Sequence, residues 1–390
     1  MEKLNFTGSG SEYFKIWIVN ILLTIITLGL YTPWAKVRNR RYFYANSMLA
    51  DRNFEYHATG KQLFVGFLIA MVFFIIYVVL GKWYPLGNLA LFALLFVAIP
   101  WLVWRSLMFN MKVTSFSNVH FAFKGTLGKA YINFFVFPFL LILALYGVPI
   151  LAAVAIPRMM HGDIPAGISI LIPIFMIVAF ALAFYLLALI KKRNTEYVIN
   201  GSRYGQGEFL ASLKAKSFMM INLKTLGVSL LFMLATVGLL GLLGGLETLS
   251  VLGDPEKMEN GKLPIEALKG IAMIYAVMIF AMIPILSYSL TRQRTYVFDN
   301  IMLDNKISFK STLRARDMMW VIFTNILMVL LTIGFAAPWA KVRMARLVLE
   351  NTQVETEQGF DEYLTQKQNE ESSLGDQIGD AFDVDVGVAF

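Results

Sequence analysis

Eight charge-free stretches of 20–28 residues divide this chain, at 16–35, 62–81, 83–104, 130–157, 164–190, 225–246, 270–291 and 318–340. A helix rises 1.5 Å per residue, so about 20 apolar residues cross the roughly 30 Å hydrocarbon core of a bilayer. A soluble reading would need eight fully buried helices in one domain. Charged residues make up only 15% of the chain, against roughly 25% in soluble domains. The chain therefore reads as an all-α polytopic membrane protein with six to eight transmembrane or re-entrant helices. Lys3 precedes the first apolar run but no small-residue cleavage site follows it, so that run is expected to stay. The absence of cysteine excludes disulfides and thiolate metal sites.

Basic residues fall on one side. Segments 36–61, 105–129, 191–224 and 292–317 together hold 23 Lys and Arg against 7 Asp and Glu, whereas Lys82, 158–163 and 247–269 hold 5 against 6. Lys and Arg near span ends are retained on the cytoplasmic side, which orients the first set inward. Headgroup contact accounts for this basic surface more simply than nucleic acid does, and no nucleic-acid partner is expected. From Glu350 onward 11 acidic residues accompany one basic residue, Lys367. That composition predicts a disordered acidic tail over 350–390.

An internal repeat runs through the rest. Pro33-Trp34, Pro100-Trp101 and Pro338-Trp339 are followed at one fixed offset by Arg38, Arg105 and Arg343, where chance predicts about 0.2 such dipeptides. PWAKVRNRR at 33–41 and PWAKVRMAR at 338–346 are nearly identical. Arg and Asn then recur five positions apart, with four residues between them, as Arg41/Asn46, Arg105/Asn110 and Arg346/Asn351. Short alternating stretches follow: NFEYHATGK at 53–61, HFAFKGTLGK at 120–129, ISFKSTLR at 307–314 and a weaker SRYGQGEF at 202–209. Period-two alternation entered through Asp51-Arg52 or Asp304-Asn305 predicts short β-hairpins on the cytoplasmic face.

The membrane domain, 1–349, thus parses into five quasi-repeats, about 5–52, 53–118, 119–201, 202–306 and 307–349. The middle three each enclose a helical hairpin. The outer two enclose one apolar stretch each. For them the repeat requires re-entry near Thr27-Leu28-Gly29 and Gly334, where glycine permits a turn, and strict alternation requires full crossings.

Proline is expected to end the helix in the Pro-Trp-Arg element, with tryptophan at the headgroups and arginine snorkelling to phosphate. A hinge or a shared vestibule is the sharper reading. His57, His120 and His161 lie in connecting segments, the last with Asp163, and form no metal-binding motif. GSG at 8–10 and GTLGK at 125–129 do not fit a phosphate-cradling loop, because Gly125 and Lys129 are too close and Ala130 replaces the hydroxyl. Asn20, Thr24, Thr27, Asn133, Ser229, Thr236, Ser287, Ser289 and Asn325 are candidate polar residues within spans and are expected to bond neighbouring helices or their own backbone. No ionised residue sits mid-span, which disfavours ion-coupled transport. Gly238, Gly241, Gly244 and Gly245 suit close helix packing.

At FTGSGSEYF (6–14), LLTIITLGLYTPWAKVR (22–38) and RYFYAN (41–46) the chain resembles the YjgN-like family, bacterial inner-membrane proteins grouped as a domain of unknown function. FKSTL at 309–313 and Asn194-Thr195 are similar too. The resemblance is specific in the first repeat, loose in the third and fourth, and does not extend to the acidic tail. It implies a multi-pass protein of the bacterial inner membrane and carries over no reaction, substrate or catalytic residue. No catalytic, cofactor-binding or metal-binding residue is assigned from the sequence, no cofactor is expected, and a non-enzyme is expected because no nucleophile–base or metal constellation is present. Binding or passage of lipids or small uncharged molecules is the first expectation, with membrane lipids as partners. A scaffold or regulatory subunit, meeting a protein partner through its cytoplasmic hairpins and acidic tail, is the other.

Overall fold

The computed structural model describes every residue except 148, 152, 155–170, 243–264, 357–358 and 382–390. His161, Asp163, Gly244 and Gly245 lie outside the described residues.

One unit recurs with little variation. A five-residue strand is followed by a three-residue connector, an outgoing helix, a returning helix, and a short strand that pairs with the next unit. The five-residue strands are β1 (Glu2–Phe6), β3 (Arg52–Tyr56), β5 (Val119–Phe123), β7 (Gly207–Ala211) and β9 (Ile307–Ser311). The returning strands are β2 (Ser47–Leu49), β4 (Thr114–Phe116), β6 (Ser202–Tyr204), β8 (Ile301–Leu303) and the longer β10 (Thr352–Thr356). The helix pairs are α1 (Gly10–Ile26) with α2 (Thr32–Ala45), α3 (Gly60–Trp83) with α4 (Pro85–Lys112), α5 (127–147) with α6 (Leu171–Gly201), α7 (Ala215–Leu242) with α8 (Ile265–Phe298), and α9 (Ala315–Leu331) with α10 (Ala337–Glu350). Two π-helical segments, Ile132–Val136 and Leu143–Gly147, interrupt α5.

The connectors are built to start helices. Ser9 accepts a hydrogen bond from the Glu12 amide, and Thr59 forms a reciprocal capping box with Gln62. Among the described residues six helices are long and apolar enough to cross a bilayer: Gly60–Trp83, Leu86–Lys112, Leu127–Leu151, Pro173–Gly201, Ala215–Leu242 and Leu268–Phe298. Their exposed leucines, valines and phenylalanines would be costly in water and are at home in lipid.

The outer two pairs are shorter. α1 has 17 residues, about 25 Å at 1.5 Å per residue. It turns through 27–31, where Leu28 and Gly29 take φ of +50° and +92°. The turn before α10 is its copy, with Ile333 at +51° and Gly334 at +92°. In each, threonine closes the loop: Thr27 Oγ1 accepts from the Tyr31 amide and Thr332 Oγ1 from the Ala336 amide, both at 3.0 Å. Leu28 and Ile333 are 94% and 90% exposed at the tips, as residues facing hydrocarbon would be. The chain returns to its starting side within both segments.

The all-α expectation is overturned. The ten strands close into an antiparallel barrel in the order β1-β10-β9-β8-β7-β6-β5-β4-β3-β2. Four hairpins are covalent. The fifth forms where β1 meets β10, a strand that falls within the stretch read as acidic tail, with Glu2 opposite Val354 and Lys3 opposite Gln353. A lone two-stranded hairpin is marginal in water. Closure removes every edge and gives the hairpins a shared core. Leu4, Phe54, Phe116, Phe121, Tyr204, Phe209, Ile307, Phe309 and Val354 fill it. The hairpins show in the sequence as short alternating stretches, but their closure into one barrel joins strands far apart in the chain and leaves no local trace.

The acidic tail is also more ordered than its composition predicts. Past β10, Phe360–Ala381 forms helix α11.

Candidate functional site

A cavity of about 1100 Å³ lies where α2, the start of α3 and the end of α4 meet β5. Lys36, Arg40, Arg105 and Lys112 line it together with His120, and no Asp or Glu does. Leu63, Met108, Phe109, Phe121 and Phe123 supply an apolar wall. Arg40 is fixed: its Nη1 donates to Tyr56 OH at 2.8 Å and Asn110 Oδ1 at 2.6 Å. Lys36, Arg105 and Lys112 are exposed. The cavity thus joins an apolar surface to four cations at the barrel ends of the helices.

Arg105 belongs to a larger pattern. Arg38, Arg105, Arg193, Arg292 and Arg343 each stand nine residues before the strand that follows, in all five units. The Pro-Trp dipeptide marks three of them. Arg193 and Arg292 escape a motif search because no Pro-Trp precedes them; their distance to SRY at 202 and IML at 301 is the signal that finds them. Arg193 lies over the Phe137 ring and Arg292 over Tyr288, while Arg343 donates to Asn325 Oδ1 and Thr324 Oγ1 at 3.0 Å each.

In two of its three copies the Pro-Trp element starts a helix rather than ending one. Pro33 and Pro338 occupy the first turns of α2 and α10, where a missing N–H costs nothing. Pro100 lies inside α4. Trp34 packs on Gly60, the first residue of α3, and Trp339 packs on Gly10, the first residue of α1. Trp104, not Trp101, makes the third such tie, its Nε1 donating to Gly125 O at 2.7 Å. Arg41 and Arg346 add equivalent links to Ala58 O and Gly8 O, at 2.9 and 3.0 Å. These residues fasten the first unit to the second, the second to the third, and the last to the first.

Most of the polar residues singled out within helices bond their own backbone or bridge locally, while Asn20 Oδ1 is buried without a partner. Thr24, Thr27, Ser229, Thr236 and Ser287 each donate to the carbonyl four residues back, at 2.7–2.9 Å. Ser289 Oγ accepts from Gln293. Asn20 donates to Asn39 Oδ1, Asn325 to Ala340 O and Asn133 to Arg193 O. Gly238 has nothing within 4 Å of where a Cβ would stand among the described residues. His57 and His120 lie 5.3 Å apart, centroid to centroid, and His57 Nε2 bonds Ser115 Oγ at 2.6 Å. No metal-binding group of His, Asp and Glu occurs among the described residues.

The barrel's hairpin-turn end is closed by α11. Phe360, Tyr363 and Leu364 enter the barrel core. Lys367, 6% exposed, lies 2.9 Å from both Asp304 Oδ2 and Glu370 Oε2. Tyr363 OH donates to Asp304 Oδ2, and the Glu208 amide donates to Asp304 Oδ1. Burial pushes the Asp304 carboxyl up, but hydrogen bonds from Lys367, the Glu208 amide and Tyr363 outweigh it and hold it below its ordinary value. Burial pulls Lys367 down, and its bonds and charge contacts with Asp304 and Glu370 bring it above its ordinary value. Burial, then the bond to Asp304, raises Tyr363. Arg52 pairs with Asp361 at 3.1 Å and Gln368 donates to Ser117 O at 2.7 Å, across two different hairpin turns.

The family described as bacterial protein of unknown function (DUF898) matches residues 1–381. The chain belongs to the DUF898 family. Its relatives include the inner membrane protein YjgN of Salmonella typhimurium, 30% identical over 90% of this chain and 88% of that one, and the protein of the same name from Escherichia coli O157:H7, 26% identical over 89% and 87%. A third, from Escherichia coli K12, is 38% identical over 33% of each chain. No solved structure matches. This DUF898 chain is accordingly a multi-pass membrane protein whose relatives are named for the inner membrane. The family name and the relatives' names carry no reaction.

Proposed function

We propose that the protein binds anionic lipid in the cavity between α2, α3, α4 and β5, without catalysing a reaction. One observation carries this reading: four cations and no carboxylate line a cavity that also has an apolar wall. At an effective dielectric of 20, each cation at 4 Å from a phosphate contributes about 4 kcal/mol before desolvation. A small uncharged ligand would leave those charges uncompensated, which favours a lipid headgroup with its tails along the helices.

Orientation is part of the same proposal. The barrel ends of the helices carry the basic excess, and retention of Lys and Arg in the cytoplasm puts the barrel inside. A scaffold role would use the hairpins and tail, but here α11 and the hairpin turns are engaged with each other. Lipid binding is tested with the full chain in nanodiscs of mixed phosphatidylglycerol and phosphatidylcholine. Retention of phosphatidylglycerol through detergent extraction should fall about tenfold in Arg105→Gln, the loss of one charge-assisted contact. Equal retention of both lipids by the unaltered chain would sink the reading.

A further inference from the structure

A second cavity repeats the first at smaller size. It measures about 420 Å³ and lies between the ends of α6 and α8 and the start of α7, with Lys191, Asn194, Thr195, Phe218, Gln293 and Arg294 in its wall. Lys191 stands eleven residues before β6, as Lys36 stands eleven before β2. Phe218 is the fourth residue of α7, the place Leu63 holds in α3. The repeat therefore builds the same hollow twice.

Its charge is unbalanced. Lys191 and Arg294 line it, and no Asp or Glu does. Glu196, one turn beyond Lys192, is engaged with Lys192 Nζ at 3.6 Å and with the Leu213 amide at 2.9 Å. Lys191 Nζ reaches Asn222 Oδ1 at 3.4 Å, a neutral partner. Arg294 Nη2 donates to Thr352 Oγ1 at 2.6 Å, which fixes the guanidinium, but its Nε is buried without a hydrogen-bond partner. Asn194 Oδ1 is buried and unpartnered as well, and a half-turn of that amide would present a donor instead. Buried donors are ordinarily satisfied, and buried cations ordinarily paired.

We infer that this cavity is a second anion site, holding a phosphate-type oxyanion between the Lys191 ammonium and the Arg294 guanidinium. It rests on the reading of the first cavity as a headgroup site and extends it to two sites per chain. A lipid headgroup and free phosphate present the same oxygens, and the experiment separates them.

The test uses the purified full chain in neutral detergent, with native mass spectrometry counting bound short-chain phosphatidylglycerol and short-chain phosphatidylcholine as the charge control. Two phosphatidylglycerols should bind the unaltered chain, one should bind Lys191→Gln, and Lys191→Arg should restore two. Lys191 is the residue to alter, because Arg294 also holds Thr352 in the barrel. If millimolar inorganic phosphate displaces only the Lys191-dependent lipid, the site takes free phosphate; if it displaces neither, the headgroup is the ligand. Lys191→Gln that binds two lipids with unchanged affinity overturns the second site. Loss of one lipid in Lys191→Gln but none in Arg105→Gln keeps the second site and sinks the first.

Discussion

A tryptophan resting on a glycine closes this ring of units twice. A Cβ added at Gly60 would overlap the Trp34 indole, and one at Gly10 would overlap Trp339. Overpacking of this kind costs about 1–3 kcal/mol. Gly60→Ala should therefore lower the thermal unfolding midpoint in detergent, whereas Gly66→Ala, with nothing within 4 Å, should leave it within error or raise it. Trp34→Ala should relieve part of the Gly60→Ala penalty, because the two side chains share one space. Strict additivity of the pair would show that they do not meet. Both halves of this contact were visible in the sequence as Pro-Trp and Thr-Gly. Their pairing was not, since 26 positions separate Trp34 from Gly60 and nothing local links them. The four cavity cations were likewise visible as basic residues near span ends, and only the fold brings the Arg40 side chain to Asn110.

At the scale of an element, α11 is the piece whose stability depends most on charge. Asp304 sits below its ordinary value, so its contribution is present above about pH 4 and is lost as pH falls through the folded value. Lys367 sits above its ordinary value, so its contribution is present below about pH 10.4 and is lost as pH rises through the folded value. The chain has no native cysteine, so a spin label at Glu362→Cys, an exposed position on α11, reports the helix alone. It should be immobile at neutral pH and mobile at both extremes. Lys367→Met should loosen it already at neutral pH. Removing one partner of a buried ion pair costs about 3–5 kcal/mol, and Asp304 and Glu370, at 21% and 27% exposed, reduce that to about 1–3. A label equally rigid in Lys367→Met would show that apolar seating alone holds the helix. Composition argued for disorder here, yet Phe360, Tyr363, Leu364 and Lys367 follow helical spacing, and that stripe was the legible signal. The turns between α1 and α2 and between α9 and α10 were better marked. Gly29→Val or Gly334→Val, each at φ near +92°, should cost about 1–2 kcal/mol, seen as a lowered unfolding midpoint. No change in that midpoint would mean that another φ is adopted.

The whole molecule is a ring closed on itself, and its topology follows from that closure. Every helix pair with both members described begins and ends at the barrel, and β1 pairs with β10, so all hairpin turns face one side of the membrane. Alternating periods at 53–61, 120–129 and 307–314 made the hairpins readable one at a time. Closure was hidden, because it depends on strands at opposite ends of the sequence, Glu2–Phe6 and Thr352–Thr356. Accessibility labelling tests the arrangement, and burial decides which positions report it. Ser115 and Ser202 are 1% and 7% exposed, so a cysteine there would resist labelling from either side. Gln206 and Lys306 are exposed in the turns after β6 and β8, and Leu86, 81% exposed at the start of α4, lies at the far end of a spanning pair. In intact spheroplasts an impermeant thiol reagent should label Leu86→Cys and spare both Gln206→Cys and Lys306→Cys. All three should label once the cells are opened. Labelling of Gln206→Cys but not Lys306→Cys in intact cells would place two neighbouring strands on opposite sides, which no closed barrel allows. Labelling of both, with Leu86→Cys protected, would keep the barrel and invert the orientation drawn from the basic residues.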